Sequence, residues 1–242
     1  MRLCVRRQPG HGCFIIDNAA GNQENMTQQQ TRLKICGITN LEDARYAAGA
    51  MVDYLGFIFY PGSSRYVRPR EAAEIIGWIE GIEKVGVFVN QSSDEINRVI
   101  ERTGIDLVQL HGDEEPGDAV KIAKPVIKSF RISENEDTGQ LIEKIRLWDS
   151  VAAYFLFDAF DENRYGGTGK SWDWSILSDI PSDAPVFLAG GISSKNVEQA
   201  VSRVRPFAVD ISSSIESEPG IKDFDKMQVF LDRWNEVLEI NS

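Results

Sequence analysis

The chain has 242 residues, of which 42% are hydrophobic and 26% charged, proportions typical of one large globular domain. Its formal net charge of −11 argues against nucleic acid or an anionic membrane as a partner, because both are polyanionic and would repel the chain. The three cysteines, Cys4, Cys13 and Cys36, are too scattered for a disulfide framework or a metal site, which fits a reducing cytoplasm.

Residues 1–30 differ in composition from the rest of the chain. Three arginines precede a brief apolar patch, Phe14–Ile16, and a polar tract, Gly21–Gln30. The patch is too short for a secretory signal, and the polar tract cannot bury enough apolar surface to fold. We therefore predict a disordered N-terminal extension, or an upstream-start artefact with Met26 as the natural start, before one folded domain over residues 31–242.

From Leu33 onward, apolar strand-like segments alternate with helical patterns. The predicted strands are Leu33–Cys36, Tyr54–Phe59, Lys84–Val89, Leu107–Leu110, Val126–Phe130, Tyr154–Asp158, Val186–Ala189 and Phe207–Asp210. The predicted helices are Leu41–Ala50, Arg70–Glu80, Ser93–Thr103, Pro116–Ala123, Gly139–Trp148, Asp173–Ser178, Ser194–Arg203 and Asp223–Leu238. The longest apolar run, Val151–Phe157, is far too short to span a membrane.

This alternation indicates a parallel sheet covered by helices, and eight units in roughly 210 residues predict a single closed (β/α)8 TIM barrel. A doubly wound open sheet is the alternative, which the lack of a Gly-x-Gly-x-x-Gly turn after the first strand disfavours. The active site of a barrel lies in the loops after its strands, so side chains at the strands' C-terminal ends are the candidate functional residues.

Cys36 ends the first strand, directly before a glycine and a helix that Asn40 can cap. Amide groups and the helix N-terminus at that position would stabilise a thiolate, although a small buried hydrophobe is the alternative. Asp158 ends the very apolar sixth strand and must therefore be paired, hydrated in a pocket, or used in chemistry. Arg65 lies in the second loop, where a solvated side chain is the alternative, and His111 is expected to be a structural hydrogen-bonding residue.

The loops after the seventh and eighth strands combine glycines and serines. Glycine lets bare amide groups approach a ligand and serine adds hydroxyl donors, and these two loops are the common phosphate site of the fold. Two ordinary tight turns are the alternative. The candidate substrate-binding residues are Gly190, Gly191, Asp210, Ser212, Ser213 and Ser214. The glycine-rich sixth loop, Asn163–Lys170, is long enough to close over a substrate.

Taken together, these motifs resemble the N-(5'-phosphoribosyl)anthranilate isomerase family of tryptophan biosynthesis. The matching segments are Lys34–Ile38, Gly56–Pro61, Ser64–Tyr66, Val108–Gly112, Gly166–Gly169, Leu188–Ile192 and Asp210–Glu216. They follow one another in order across the whole predicted barrel and omit the first 30 residues.

The resemblance implies an Amadori rearrangement of N-(5-phosphoribosyl)anthranilate to 1-(2-carboxyphenylamino)-1-deoxyribulose 5-phosphate. In it, Asp158 is the acid that protonates the ribose ring oxygen, Cys36 is the base that removes the proton from C2, and Arg65 meets the anthranilate carboxylate. It also implies a TIM barrel that needs no metal and no cofactor. The expected partner is a small phosphorylated aminosugar, and the oligomeric state is left open between monomer and homodimer.

Both predicted catalytic groups need shifted pKa values at neutral pH, because a free Cys titrates near ~8.5 and a free Asp near ~3.9. Desolvation by the strand Phe155–Phe157 would favour the neutral form of Asp158. The strand-end amides and the first helix would lower the pKa of Cys36. We expect the two groups to titrate as a coupled pair.

Three other functions are compatible with a barrel. A catalytically inactive barrel could serve as a phosphate-binding scaffold subunit, which intact Cys36 and Asp158 disfavour. Indole-3-glycerol phosphate synthase would need a Lys acid and a Glu at strand ends, whereas Lys34 and Lys84 lie within or at the start of strands. A metal-dependent sugar-phosphate epimerase would need clustered His and acidic ligands, whereas the chain has two His in all.

Overall fold

The computed structural model describes residues 30–132, 137–159, 177 and 184–240. Eight parallel strands form a closed barrel in chain order, with the first strand beside the eighth, so the predicted TIM barrel is confirmed. The strands are β1 (Arg32–Cys36), β2 (Tyr54–Ile58), β3 (Glu83–Phe88), β4 (Leu107–Leu110), β5 (Val126–Ile132), β6 (Tyr154–Ala159), β7 (Val186–Ala189) and β8 (Ala208–Ile211). The predicted extension over residues 1–30, the loop Asn163–Lys170 and the helix Asp173–Ser178 lie almost wholly outside the described residues.

Helices follow the strands around the barrel. They are α1 (Leu41–Gly49), α2 (Pro69–Ile76), α3 (Ser93–Thr103), α4 (Pro116–Ala119), α5 (Thr138–Trp148), α6 (Val197–Val204) and α7 (Phe224–Ile240). Side-chain caps set several starts, as at Asn40, whose side chain accepts a 2.8 Å hydrogen bond from the Asp43 amide. Gly77 follows α2 and Gly117 lies inside α4. Both helices are shorter than predicted: α2 ends at its glycine, whereas α4 is a single turn that contains one, and glycine is a poor helix former.

An antiparallel hairpin between β8 and α7 was not predicted. A single turn of 3-10 helix, Ser213–Ile215, leads into its two strands, β9 (Glu216–Glu218) and β10 (Ile221–Lys222). Gly220 makes the turn at a φ of +89°, a conformation that L side chains rarely adopt. The hairpin brings Lys222 back beneath the end of β1, where its backbone amide donates to Asp43 over 2.9 Å.

The inside of the barrel is filled toward the N-terminal ends of the strands by what we call the apolar layer. Its members are Tyr54, Val85, Leu107, Ile127, Leu156, Phe187 and Ala208, all buried, and Ala189 packs on them from the C-terminal end of β7. Below it, Arg32 donates a 2.6 Å hydrogen bond to the Tyr54 hydroxyl and lies 4.9 Å from the centre of the Phe207 ring. A second, larger core lies between the sheet and the helices. The described side chains thus fill this end of the barrel, and in this fold the active site lies at the other end.

No helix in the described part of the chain combines the length and the apolarity that crossing a bilayer would need.

Candidate active site

Toward the C-terminal ends of the strands the inside of the barrel becomes polar. This polar layer consists of Lys34, Cys36, Gln109, His111, Asp158 and Asp210. Because side chains two residues apart share a face of a strand, Lys34 and Cys36 both point inward from β1. The Lys34 ammonium is fully buried and donates to Asp210 Oδ2 over 2.7 Å and to Gln109 Oε1 over 2.9 Å. These bonds join three strands across the barrel at the level of the thiol.

Cys36 lies at the end of β1 with 7% of its surface exposed. Its sulfur rests against Gly56 on the neighbouring strand, where an added Cβ would come within 2.6 Å of Sγ. A glycine is therefore required at position 56, because a larger residue would displace the thiol.

The predicted lowering of the Cys36 pKa is wrong. Two amides that directly follow Cys36, those of Gly37 and Ile38, donate to the Gly56 carbonyl over 3.0 and 2.9 Å and are not available to a thiolate. Burial raises the pKa of the Cys36 thiol, and the opposing pull of the Lys34 ammonium is not enough to reverse this. Burial works against the Lys34 ammonium, but Asp210 and Cys36 together outweigh it through charge and hydrogen bonding and raise the pKa of Lys34.

Asp158 lies at the end of β6, with 30% of its side chain exposed at the barrel mouth. Its Oδ2 is 3.5 Å from Nε2 of His111, and Nδ1 of the same ring is 3.1 Å from Gln109 Nε2. Asp210 interacts electrostatically with both Cys36 and Asp158. The two residues predicted to carry the chemistry therefore belong to one continuous polar layer, connected through Lys34, Gln109 and His111.

Arg65 is not a solvated loop side chain. Its Nε and one terminal nitrogen form a two-pronged ion pair with Glu216, at 2.9 and 2.6 Å, which ties the second loop to β9. Lys222 donates to the same carboxylate over 2.9 Å and to the Cys36 carbonyl over 2.7 Å. Burial alone would raise the pKa of Glu216, but the two cations outweigh it and lower that pKa.

The glycine–serine loops after β7 and β8 lie at the same rim. Gly190 and Gly191 have φ values of +87° and +64°, so this turn depends on glycine. Gly191 and Ser213 are exposed, whereas the Ser212 hydroxyl donates to the Cys36 carbonyl over 3.0 Å. The hydroxyl of Ser214 is buried without a hydrogen-bond partner among the described residues.

Of the predicted substrate-binding residues, three are thus engaged within the protein: Arg65 with Glu216, Ser212 with the end of β1, and Asp210 with Lys34. Gly190, Gly191 and Ser213 remain at the rim. Four residues that were not selected from the sequence also belong to the hydrogen-bond network of the site: Lys34, Gln109, Glu216 and Lys222. Lys34 and Gln109 carried a signal, since each lies two residues before a selected residue on the same face of its strand. Glu216 also carried one, because it ends the segment Asp210–Glu216 singled out in the sequence.

The chain matches known proteins over almost the whole barrel. A family model described as N-(5'-phosphoribosyl)anthranilate (PRA) isomerase matches residues 33–233. An N-(5'-phosphoribosyl)anthranilate isomerase from Geobacter sulfurreducens is 43% identical over 203 residues, which cover 84% of this chain and 97% of the relative.

Solved structures agree with that match. Monomers generated from the dimeric phosphoribosylanthranilate isomerase of Thermotoga maritima align with a TM-score of 0.74 and 35% identity, over 85% of this chain and 99% of theirs. A phosphoribosyl anthranilate isomerase in complex with reduced 1-(o-carboxyphenylamino)-1-deoxyribulose 5-phosphate aligns with a TM-score of 0.73 and 35% identity, over 85% of this chain and 99% of that one.

Proposed function

The chain belongs to the N-(5'-phosphoribosyl)anthranilate isomerase family of tryptophan biosynthesis, and from that membership we propose an acid–base mechanism in which Cys36 and Asp158 are the catalytic residues. The substrate is a small phosphorylated aminosugar, and the reaction is its Amadori rearrangement. The observation that carries this proposal is the polar layer, which connects the thiol at the end of β1 with the carboxyl at the end of β6.

In the first step the protonated Asp158 carboxyl gives its proton to the ribose ring oxygen. The C1–O bond breaks with its electron pair going to that oxygen, while the nitrogen lone pair forms the C1=N bond of a protonated Schiff base. The Cys36 thiolate then removes the proton from C2, and the electrons of that C–H bond flow toward nitrogen to give an enol-amine. Tautomerisation gives the ketone, and the proton on sulfur must return to Asp158 before the next turnover.

Cys36 needs help to serve as a base, because burial raises the pKa of its thiol. Lys34 gives part of that help, because its ammonium hydrogen-bonds the sulfur and opposes the effect of burial on the Cys36 pKa. A cytoplasmic location, where reducing conditions keep a free thiol intact, fits this role.

Arg65 is proposed to bind the anthranilate carboxylate. Glu216 accepts hydrogen bonds from Nε and from one terminal nitrogen of Arg65. This ion pair fixes the orientation of the guanidinium, including the end that carries its two terminal nitrogens. A planar guanidinium offers five donors in a fixed geometry, so one carboxylate on the side edge still leaves donors for a second.

The sugar phosphate is proposed to lie on the backbone amides of Gly190, Gly191, Ser213 and Ser214. The exposed turn at Gly191, where a Cβ would meet nothing within 4 Å, supports an approach of the ligand to bare backbone. Asp210 Oδ1 is buried without a partner among the described residues and would accept a hydrogen bond from a sugar hydroxyl.

The test is the loss of substrate anthranilate fluorescence when the purified protein is added. We expect turnover by the wild type and a fall of at least ~10²-fold for Cys36→Ala and for Asp158→Asn, the scale of losing a general base or acid. Circular dichroism controls for folding. Near-wild-type turnover in either folded variant would remove that residue from the mechanism, and an inactive wild type would favour the scaffold alternative.

A further inference from the structure

Lys34 is connected to Asp158 through Gln109 and His111 by three contacts, and in each of them one group donates and the other accepts. Lys34 Nζ is 2.9 Å from Gln109 Oε1, Gln109 Nε2 is 3.1 Å from His111 Nδ1, and His111 Nε2 is 3.5 Å from Asp158 Oδ2. Lys34 and Gln109 are buried, at 0% and 2% exposure, so water does not compete for these groups. A buried polar group without a hydrogen-bond partner lowers the free energy of unfolding, so each contact should pair one donor with one acceptor.

The donors and acceptors can be assigned from the buried end. An ammonium can only donate, so the oxygen of the Gln109 amide must face Lys34. The NH2 group of that amide must then face His111, and because it too can only donate, Nδ1 of the ring must accept. A ring that accepts at Nδ1 carries its proton on Nε2, the nitrogen beside Asp158. The reversed amide would set one donor against another at Lys34, so the assignment has one consistent solution.

We propose that Lys34 and Gln109 are positioning residues that hold His111 as its Nε2–H tautomer, aimed at Oδ2 of Asp158. This inference rests on the proposed role of Asp158 as the acid. With Oδ2 facing an N–H group, the proton that is given to the sugar sits on Oδ1, and the carboxylate left behind gains a donor. Contacts of this length commonly tighten when substrate binds. Lys34 thereby serves both ends of the layer, because the same ammonium also faces Cys36.

His111 then differs from the expectation of a purely structural hydrogen-bonding residue. Asp158 Oδ2 lies 3.5 Å from its Nε2, and Asp210 interacts electrostatically with the ring. An N–H group at Nδ1 would face the NH2 group of Gln109, so the amide favours the tautomer with its proton on Nε2. The ring is therefore held as a donor to Asp158.

The test is ¹⁵N NMR of the full-length protein labelled at histidine. The chain has only one other histidine, His11, so a His11→Gln variant assigns the two rings. We expect the wild type to show an unprotonated Nδ1 and a protonated Nε2 at His111. A wild type with a protonated Nδ1 would overturn the proposal, and this measurement needs neither substrate nor a variant of the polar layer.

The Gln109→Glu variant tests the cause. A carboxylate at position 109 accepts from Lys34 and must also accept from His111, so Nδ1 should gain a proton. We expect kcat to fall at least tenfold while KM stays within about twofold, because the change affects the acid and not the binding groups. Gln199→Glu makes the same substitution at an exposed position of α6 and should leave both the tautomer and kcat unchanged.

An unchanged tautomer and unchanged kcat in Gln109→Glu would overturn the proposal. Should that variant not fold, Gln109→Met removes the amide at similar volume, and a single Nε2–H tautomer persisting in it would also overturn the role of Gln109. A different result would contradict the proposed function, namely an active Asp158→Asn variant. The NMR spectrum of the wild type tests the tautomer independently of that result.

Discussion

The apolar and polar layers are built on the same eight strands and differ in what they contribute. In the apolar layer the Phe187 ring packs against other aromatic side chains, among them buried Tyr54 at 5.3 Å and half-buried Tyr154 at 5.6 Å between ring centres. The polar layer buries the Lys34 ammonium and the Asp210 carboxylate, whose desolvation offsets much of their attraction. One layer therefore supplies stability and the other accepts a cost in stability to place reactive groups.

The largest expected effect is on stability in the apolar layer. Phe187→Ala should lower the free energy of unfolding by about 3–5 kcal/mol, the cost of removing a fully buried aromatic ring. At temperatures where the variant is folded, kcat should stay within about twofold of the wild type. Urea unfolding and the fluorescence assay measure the two effects, and Val229→Ala, at a 59% exposed site on α7, is the control. A folded variant without activity would show that the layers are not separable.

Next comes the contact between Gly56 and the thiol. Gly56→Ala would put a Cβ 2.6 Å from Cys36 Sγ, so we expect kcat to fall by about 10²-fold and stability to fall by about 1–3 kcal/mol. Gly49→Ala is the matched control, since nothing lies within 4 Å of a Cβ at that position. Steady-state kinetics at a temperature where both variants are folded would decide, and equal kcat values in the two would count against the placement of the sulfur.

A third effect depends on pH. Unfolded glutamate titrates near ~4.3, and Arg65 and Lys222 hold the pKa of folded Glu216 below its ordinary value. The carboxylate thus stabilises the fold above the unfolded pKa, and this contribution is lost as the pH falls through the folded pKa. Glu216→Gln should cost about 2 kcal/mol at pH 7, and the gap should close toward pH 3.

Denaturant titrations of both proteins at several pH values measure that gap. A gap that stays constant down to pH 3 would mean that the charge of Glu216 does not stabilise the fold. Phe187→Ala provides the contrast, because its cost should change little over the same range.

The smallest effect is expected at Arg65. Arg65→Lys keeps the charge but loses the two-pronged geometry, so KM should rise about tenfold, more than kcat falls. Steady-state kinetics over a range of substrate concentrations separates the two constants. An unchanged KM would count against Arg65 as the group that binds the carboxylate of the substrate.

The barrel could be predicted from the sequence because its signal is local: eight apolar strands and the helices between them each follow from neighbouring residues. The ends of strands such as β4 and β7 were predicted correctly for the same reason. The partners in the polar layer could not be predicted, since Lys34 meets Gln109 and Asp210 at separations of 75 and 176 residues. The predicted direction of the Cys36 pKa was wrong because burial of the thiol inside the closed barrel outweighs the nearby cations, and that burial comes from residues far away in the sequence.

The end of β1 depends on residues near the opposite end of the chain. The Cys36 carbonyl accepts from Lys222 and Ser212, the Thr39 hydroxyl donates to the Gly220 carbonyl, and β1 pairs with β8. During translation these partners leave the ribosome more than a hundred residues after Cys36 does. The nascent polypeptide therefore cannot complete the surroundings of the Cys36 thiol until β8 and the hairpin have been synthesised.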